Sequence, residues 1–403
     1  MSNTFELIGK FFVGKESEKF KPYEVTTSAK GWTTNRFLFN VIAGDNRHML
    51  ESKGGYFADG NGKIFTFSKA GKDDNGNQVK GEKLEIAWKD RTKPELIENV
   101  AEFKKFVVDL EEYGRRFKLE KAVEKKKEGT LTEDELLELG VDDIEKAFED
   151  SKKKRKEFIA ESDFTEYLHK VITSGKVDGR LFRVNGNIVN SEYNGKFYRK
   201  LVPNRVYLAE KDAQPSSIGQ LTIFFNKDSL DNNSLKDKKK YYINGYVRDY
   251  DNNRKMDIPC PIQVVVDTSK DEENETNKKL NNMFVKQFTV KDKVWYELGI
   301  KVKMLDGAQK TDITDDMLND IQKELLELGA ITMDDIRKEL GKDIYGEKIQ
   351  ELIIINVARG YSKGRKNTVY IDNDFVIQPI EILEKENKPN ELDEEDIFQD
   401  IDI

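Results

Sequence analysis

Residues 180–208 read RLFRVNGNIVNSEYNGKFYRKLVPNRVYL, and this stretch decides the fold class. Apolar and polar residues alternate on both sides of Asn194–Gly195, the dipeptide that favours a type I′ turn. Such alternation predicts two antiparallel strands joined by a tight hairpin. Working outward, FELIGKFFVG, RFLFNVIAG, KIFTFSK and KLEIAWK in residues 1–90 are short aromatic and β-branched runs bounded by Gly, Asp or Asn. IGQLTIFFNK, KKKYYINGYVRDY and FVKQFTVKDKVWYELGIKVKML add more, and LIIINVARGYSKGRKNTVYI closes the body. No regular strand–helix–strand alternation runs through the chain, which argues against a doubly wound sheet.

Helical periodicity interrupts the strands twice. Residues 94–158 repeat apolar positions every three or four residues, and residues 312–350 do so again. Thr132 with Glu135 forms the spacing of a capping box, Gly140 suits a helix stop, and Asp142–Asp143 suits the next start. An echo links the two segments. Glu135–Gly140 and Glu324–Gly329 both read ELLELG, and each is followed by Asp-Asp-Ile.

The expected architecture is mainly β with helical insertions (α+β), built on one or more OB-like antiparallel barrels, since closing a sheet removes its exposed edges. The expected divisions are a strand-rich segment 1–93, a helical insert 94–160, a barrel region 161–310, a second insert 311–350, closing strands 351–383 and a disordered acidic tail 384–403.

Composition narrows the function. The formal charge is −8, but Glu381–Ile403 holds ten acidic residues and two lysines, so the remaining body is neutral. A neutral body can still carry a basic groove, because polyanions respond to local field. One cysteine, Cys260, rules out an internal disulfide framework or a cysteine-based zinc site. The two histidines, His48 and His169, lie far apart in the sequence. No run reaches the roughly 18 apolar residues of a membrane span, and the N-terminal residues lack a signal-peptide layout. The reading is a soluble, cytoplasmic chain with no membrane partner.

Enzyme chemistry finds little support. No G-x-x-x-x-G-K-[ST] phosphate loop is present. DNNSLKD and DYDNNRK do not match a calcium loop and read as turns. A nuclease would require rigidly converging carboxylates, for which Asp249, Asp257 and Asp374 are the candidates. The expectation is no enzyme, no metal and no cofactor.

Aromatic residues interleaved with cations on strands point to nucleic acid. Aromatic rings stack on bases at about 1–3 kcal/mol each without reading identity, and Lys or Arg neutralise phosphates. Candidate contacts are Lys30, Trp32 and Arg36; Arg180 and Arg183; Tyr198, Lys200 and Arg205; Tyr246 and Arg248; and Arg359, Tyr361, Lys363, Arg365 and Lys366. Period 2 places Tyr198 with Lys200 on one face and Phe197 with Arg199 on the other. It likewise places Tyr246, Arg248 and Tyr250 together. The basic runs GRRFKL and SKKKRKEF read as solvated helix faces.

With Phe197, Tyr198 and Arg199 beside the Asn194–Gly195 turn, and an ending DEEDIFQDIDI, the chain resembles OB-fold single-stranded DNA-binding proteins, in a large bacteriophage form. The resemblance implies sequence-tolerant coating and protection of single-stranded DNA during replication, recombination or repair. It also implies that the tail docks replication or recombination proteins through Asp393, Glu394, Glu395, Asp396, Ile397, Phe398, Asp400, Ile401, Asp402 and Ile403. The tail departs from the bacterial pattern by lacking a final Pro-Phe, which leaves the particular partner open. Several domains in one chain would suit a monomer, in the host cytoplasm if the origin is a phage. The rival readings are a virion or assembly protein and a metal-dependent nuclease; DNA against RNA is also open.

Overall fold

The computed structural model of the chain describes residues 3–57, 59–72, 78–231, 239–310, 318–333, 335–336 and 345–377. The first strands are β1 (Thr4–Phe12), β2 (Tyr23–Thr27), β3 (Trp32–Ala43) and β4 (Asn46–Phe57). A small lobe follows, with β5 (Lys63–Phe67) paired to β8 (Lys83–Ala87), and β6 (Gly71–Lys72) paired to β7 (Gln78–Val79). Next come β9 (Phe106–Glu112), β10 (Arg155–Phe158), β11 (Phe182–Tyr193), β12 (Lys196–Leu208), β13 (Ser216–Phe225) and β14 (Leu230–Asp231). The series ends with β15 (Lys240–Asp251), β16 (Met256–Asp267), β17 (Tyr296–Lys310), β18 (Tyr345–Val357) and β19 (Lys366–Asn367).

Fifteen of these strands join one sheet. Most pairs are antiparallel, but β12 meets β4 and β9 in parallel, and β16 meets β18 in parallel. The expected OB-like antiparallel barrels are therefore corrected: the chain is a large mixed α/β fold on a single, partly parallel sheet. The reason lies in β1. Its first residues pair with β11 on one side and β13 on the other, and Lys10–Phe12 pair with β3. One shared strand thus fuses the strand groups, and alternation along a strand does not specify its neighbours. The expected insert 94–160 also supplies β9 and β10 to this sheet.

The hairpin at the centre of the sequence reading forms as its turn chemistry requires. Asn194 and Gly195 take φ of 52° and 74°, between β11 and β12. Inward positions of the sheet build the main core from Leu7, Phe37, Phe39, Phe182 and Phe225. Helix α5 (Glu161–Thr173; α1 to α4 are given below) adds Phe164 and Leu168. It is pinned to the sheet where Asn35 Nδ2 donates to the Ser162 carbonyl at 2.8 Å and Ser52 and Thr165 hydroxyls meet at 2.7 Å. Helix α6 (Glu275–Phe288), capped by Asn274, adds Phe284 and Phe288.

Three helices follow α1 (Pro94–Asn99): α2 (Arg115–Glu128), α3 (Glu133–Leu139) and α4 (Ile144–Lys153). They close over their own small core of Ala122, Val123 and Ile144. The Thr132–Glu135 capping box forms, Gly140 ends α3 at φ 59°, and Asp143 caps α4. The second ELLELG segment repeats this grammar. Helix α7 (Asp320–Glu327) starts on an Asn319–Gln322 capping box and is followed by Gly329 at φ 66°.

Candidate nucleic-acid interface

A concavity of about 910 Å³ is lined by strands from both flanks of the sheet. One wall comes from β4 (Arg47, Met49) and β12 (Phe197, Tyr198, Arg199). The facing wall comes from β16, β17 and β18, with Gln263, Met304, Asp306 and Glu351. On β4 the wall follows from strand parity. In β4, His48 and Leu50 point inward, so Met49 between them points out and is 59% exposed. In β12, Phe197 and Tyr198 are 43% and 45% exposed.

Charge in the cleft is uneven. The Arg47 guanidinium lies over the Phe12 ring at 4.5 Å, and its Nε donates to Asn40. Arg199 reaches water but has protein on most sides, which pulls its pKa down from the ordinary arginine value. It stays charged at any relevant pH. On the facing wall Glu351 is neutralised by Lys240 at 2.7 Å. His48 closes the floor, hydrogen-bonded to Ser217 at 2.5 Å; burial pushes its pKa down, so it is neutral at pH 7. Two cations beside three exposed apolar side chains can hold a phosphate and stack a base.

The candidate residues divide among several places. Tyr198, Lys200 and Arg205 follow one another along β12, on the face that pairs with Ser191, Val189 and Asn185 of β11. Lys200 also bridges to Glu51 at 2.8 Å, and Arg205 donates to the Glu102 carbonyl. Arg183, on the same face, is held by Glu6 and Glu210 and lies over Tyr113. Arg180 is exposed just before β11.

Lys30, Trp32 and Arg36 sit on the β2–β3 hairpin. Lys30 is in the exposed turn, and Trp32 packs edge-on to Phe57 across Gly55. A side chain at Gly55 would meet the indole at 2.5 Å, so glycine is what lets that ring lie flat there. Arg36 is half-buried between Glu24 and Lys53.

A third group is closed. Tyr246 packs against Trp295 and Phe375. Arg248 donates to the carbonyls of Asp374 and Asp257 and lies over Tyr370. Tyr361 is only 1% exposed and donates to Glu297 at 2.9 Å, so its ring is not open to stacking as expected. Burial, helped by that carboxylate, pushes its phenol up to about 12. Arg365 is anchored to the carbonyls of Lys286 and Gln287, Lys366 lies over the Tyr361 ring, and Arg359 and Lys363 are exposed in turns. The tail residues Asp393 to Ile403 lie outside the described residues.

Of the nuclease candidates, Asp249 and Asp257 line one concavity, and Asp249 and Asp374 are held by hydrogen bonds. Asp249 accepts from the Asn190 backbone and side chain at 2.8 and 2.6 Å, with its pKa raised by burial. Asp374 accepts from the Ile371 backbone. Among the described residues, no group of three or more His, Cys, Asp or Glu could hold a metal ion. Cys260 is buried, and burial pushes its thiol up to about 12. His169 stacks on Tyr23 at 4.0 Å. Arg47 and Met49 were not among the sequence candidates; the inward-facing His48 and Leu50 around an outward methionine are the pattern that would have marked them.

No family model matches the chain, and no curated protein matches it. Among solved structures, a deletion mutant of the single-stranded DNA binding protein from Thermus aquaticus is similar over 75% of this chain and 86% of that one. The identity is 8% and the TM-score 0.27, a likeness that carries no argument about fold or binding. No helix among the described residues is long and apolar enough to cross a membrane.

Proposed function

We propose that the protein binds single-stranded DNA without strong sequence preference, coating and protecting it during replication or recombination, and has no catalytic role. The observation that carries this reading is the cleft of about 910 Å³ in which exposed Phe197, Tyr198 and Met49 stand beside Arg47 and Arg199. A single strand offers bases and phosphates at once, and this wall offers rings and cations at once. Duplex hides its bases, and the cleft has no grouped cations for phosphates alone. In the same reading the acidic tail Asp393–Ile403, with its apolar Ile397, Phe398, Ile401 and Ile403, recruits replication proteins.

The test is a fluorescence-polarisation titration with single-stranded DNA, duplex DNA and RNA at two salt concentrations. Single-stranded DNA is expected to bind most tightly, with affinity falling steeply as salt rises. Equal affinity for duplex, or no salt slope, would end the reading. Removing residues 391–403 is expected to weaken partner recruitment while leaving DNA affinity unchanged or higher.

A further inference from the structure

A second concavity, of about 460 Å³, opens on the outward faces of β11, β1 and β13 between β12 and β17. The register fixes what stands in it. One row crosses the sheet as Arg205, Asn185, Glu6, Ile218 and Lys303; the next contains Asn187, Thr4, Gln220 and Lys301. At roughly 4.8 Å between strands, Arg205 and Lys303 stand about 19 Å apart. Cations therefore bracket a middle of carboxamides, and its one acid, Glu6, is neutralised by Arg183 at 2.8 Å.

Two observations point to a ligand. Phe103 lines the trough yet is 74% exposed, with Lys104 beside its ring at 5.7 Å. Among the described residues, no aromatic ring stacks on it. Among the described residues, the Asn185 Oδ1 acceptor is buried without a hydrogen-bond partner, which is a costly state for a carboxamide.

We infer that this trough is a second nucleotide site for the same single strand: Phe103 stacks a base, Asn185, Asn187 and Gln220 bond its edge, and Arg205 and Lys301 take the flanking phosphates. The inference rests on the single-strand reading proposed above. Tyr198 at the cleft, Lys200 and Arg205 at the trough share one face of β12 and span about 23 Å at the rise of a strand. The two sites differ in chemistry. The cleft stacks and neutralises, which tolerates any base. The trough presents carboxamides, whose paired donor and acceptor distinguish base edges.

The test uses the full chain, oligothymidylates of increasing length, and adenine and cytosine homopolymers. Phe103→Ala and Lys301→Glu change exposed side chains, and thermal melting checks that each variant folds. Phe103→Ala is expected to weaken long oligonucleotides by about fivefold or more, while the shortest one that binds stays within about twofold. The double variant Asn187→Ala/Gln220→Ala is expected to level the homopolymer affinities. On the unmodified chain, photocrosslinking is expected to label the Phe103 segment with long strands and not with short ones. Unchanged length dependence in the trough variants, or crosslinks confined to the segments of Met49 and Phe197–Arg199, would overturn the trough; a loss on Phe197→Ala would then keep the single-strand reading. A parent chain that binds no single strand overturns both.

Discussion

The hairpin of β11 and β12 and the segment around Tyr361 read alike, with tyrosines among lysines and arginines on strand-like sequence. In the folded chain they are opposites. On the hairpin, Phe197 and Tyr198 stand open. In the second region, Trp295 and Phe375 stack at 3.7 Å, Tyr246 closes on them, and Tyr361 is sealed against Glu297. The arginines differ in the same way. Arg248 and Arg365 each donate to two backbone carbonyls, and such a guanidinium works as structural glue. Parity along a strand tells which residues share a face. It does not tell whether a segment from later in the chain covers that face.

The sharpest way to break this contrast is Tyr361→Ala. Emptying a fully buried aromatic site should cost about 3–5 kcal/mol of stability, read from urea unfolding. The folded fraction should bind single-stranded DNA as the parent does. A variant that folds normally and loses affinity would place the closed region in the interface and erase the distinction.

The converse change acts on the open region. Phe197→Ala and Tyr198→Ala should each weaken single-stranded DNA binding by about 1–3 kcal/mol, read by polarisation titration. Neither ring is buried, so unfolding midpoints should stay within about 0.5 kcal/mol of the parent. Full affinity in the double variant would remove the cleft from the proposed function.

How much of this was legible is clear from single residues. Asn194–Gly195 announced its turn and Thr132–Glu135 its helix start, because both depend on chemistry within four residues. The face shared by Tyr198 and Lys200 followed from period 2. The sheet did not follow. That β1 pairs with β3, β11 and β13 is set by contacts between residues well separated in the chain, from Lys10 with Ile42 to Glu6 with Ile218. The sealing of Tyr361 by Glu297, and of Arg248 by Asp374, is long-range for the same reason. Met49 was missed although its signal was local.

A pH experiment probes the helix packed on β3 and β4. Glu161 begins α5, which packs on β3 and β4, and burial raises its carboxyl to about 7, with Lys53 opposing weakly. The unfolded chain holds the ordinary value near 4.5, so the folded state resists ionisation of this group. Stability from the protonated form is complete below about pH 4.5, is lost as pH rises toward 7, and then levels. Glu161→Gln removes that loss. It should leave stability at pH 4 unchanged and raise it at pH 8 by on the order of 2 kcal/mol, read from urea midpoints. Equal midpoints at both pH values would show the carboxylate to be well solvated.

The smallest expected effect lies at the rim of the open region. Gly195 sits at φ 74°, where a side chain is strained, and an added Cβ meets nothing within 4 Å. Gly195→Ala should therefore cost about 1 kcal/mol through backbone strain alone. If the hairpin serves as a rigid platform, the strain should loosen the rings that the turn holds in place, and affinity for single-stranded DNA should fall with stability. In the closed region Trp295 and Phe375 brace each other across the chain. A Gly195→Ala variant that loses stability but keeps full affinity would mean that the neighbouring strands, rather than the turn, hold Phe197 and Tyr198 in position.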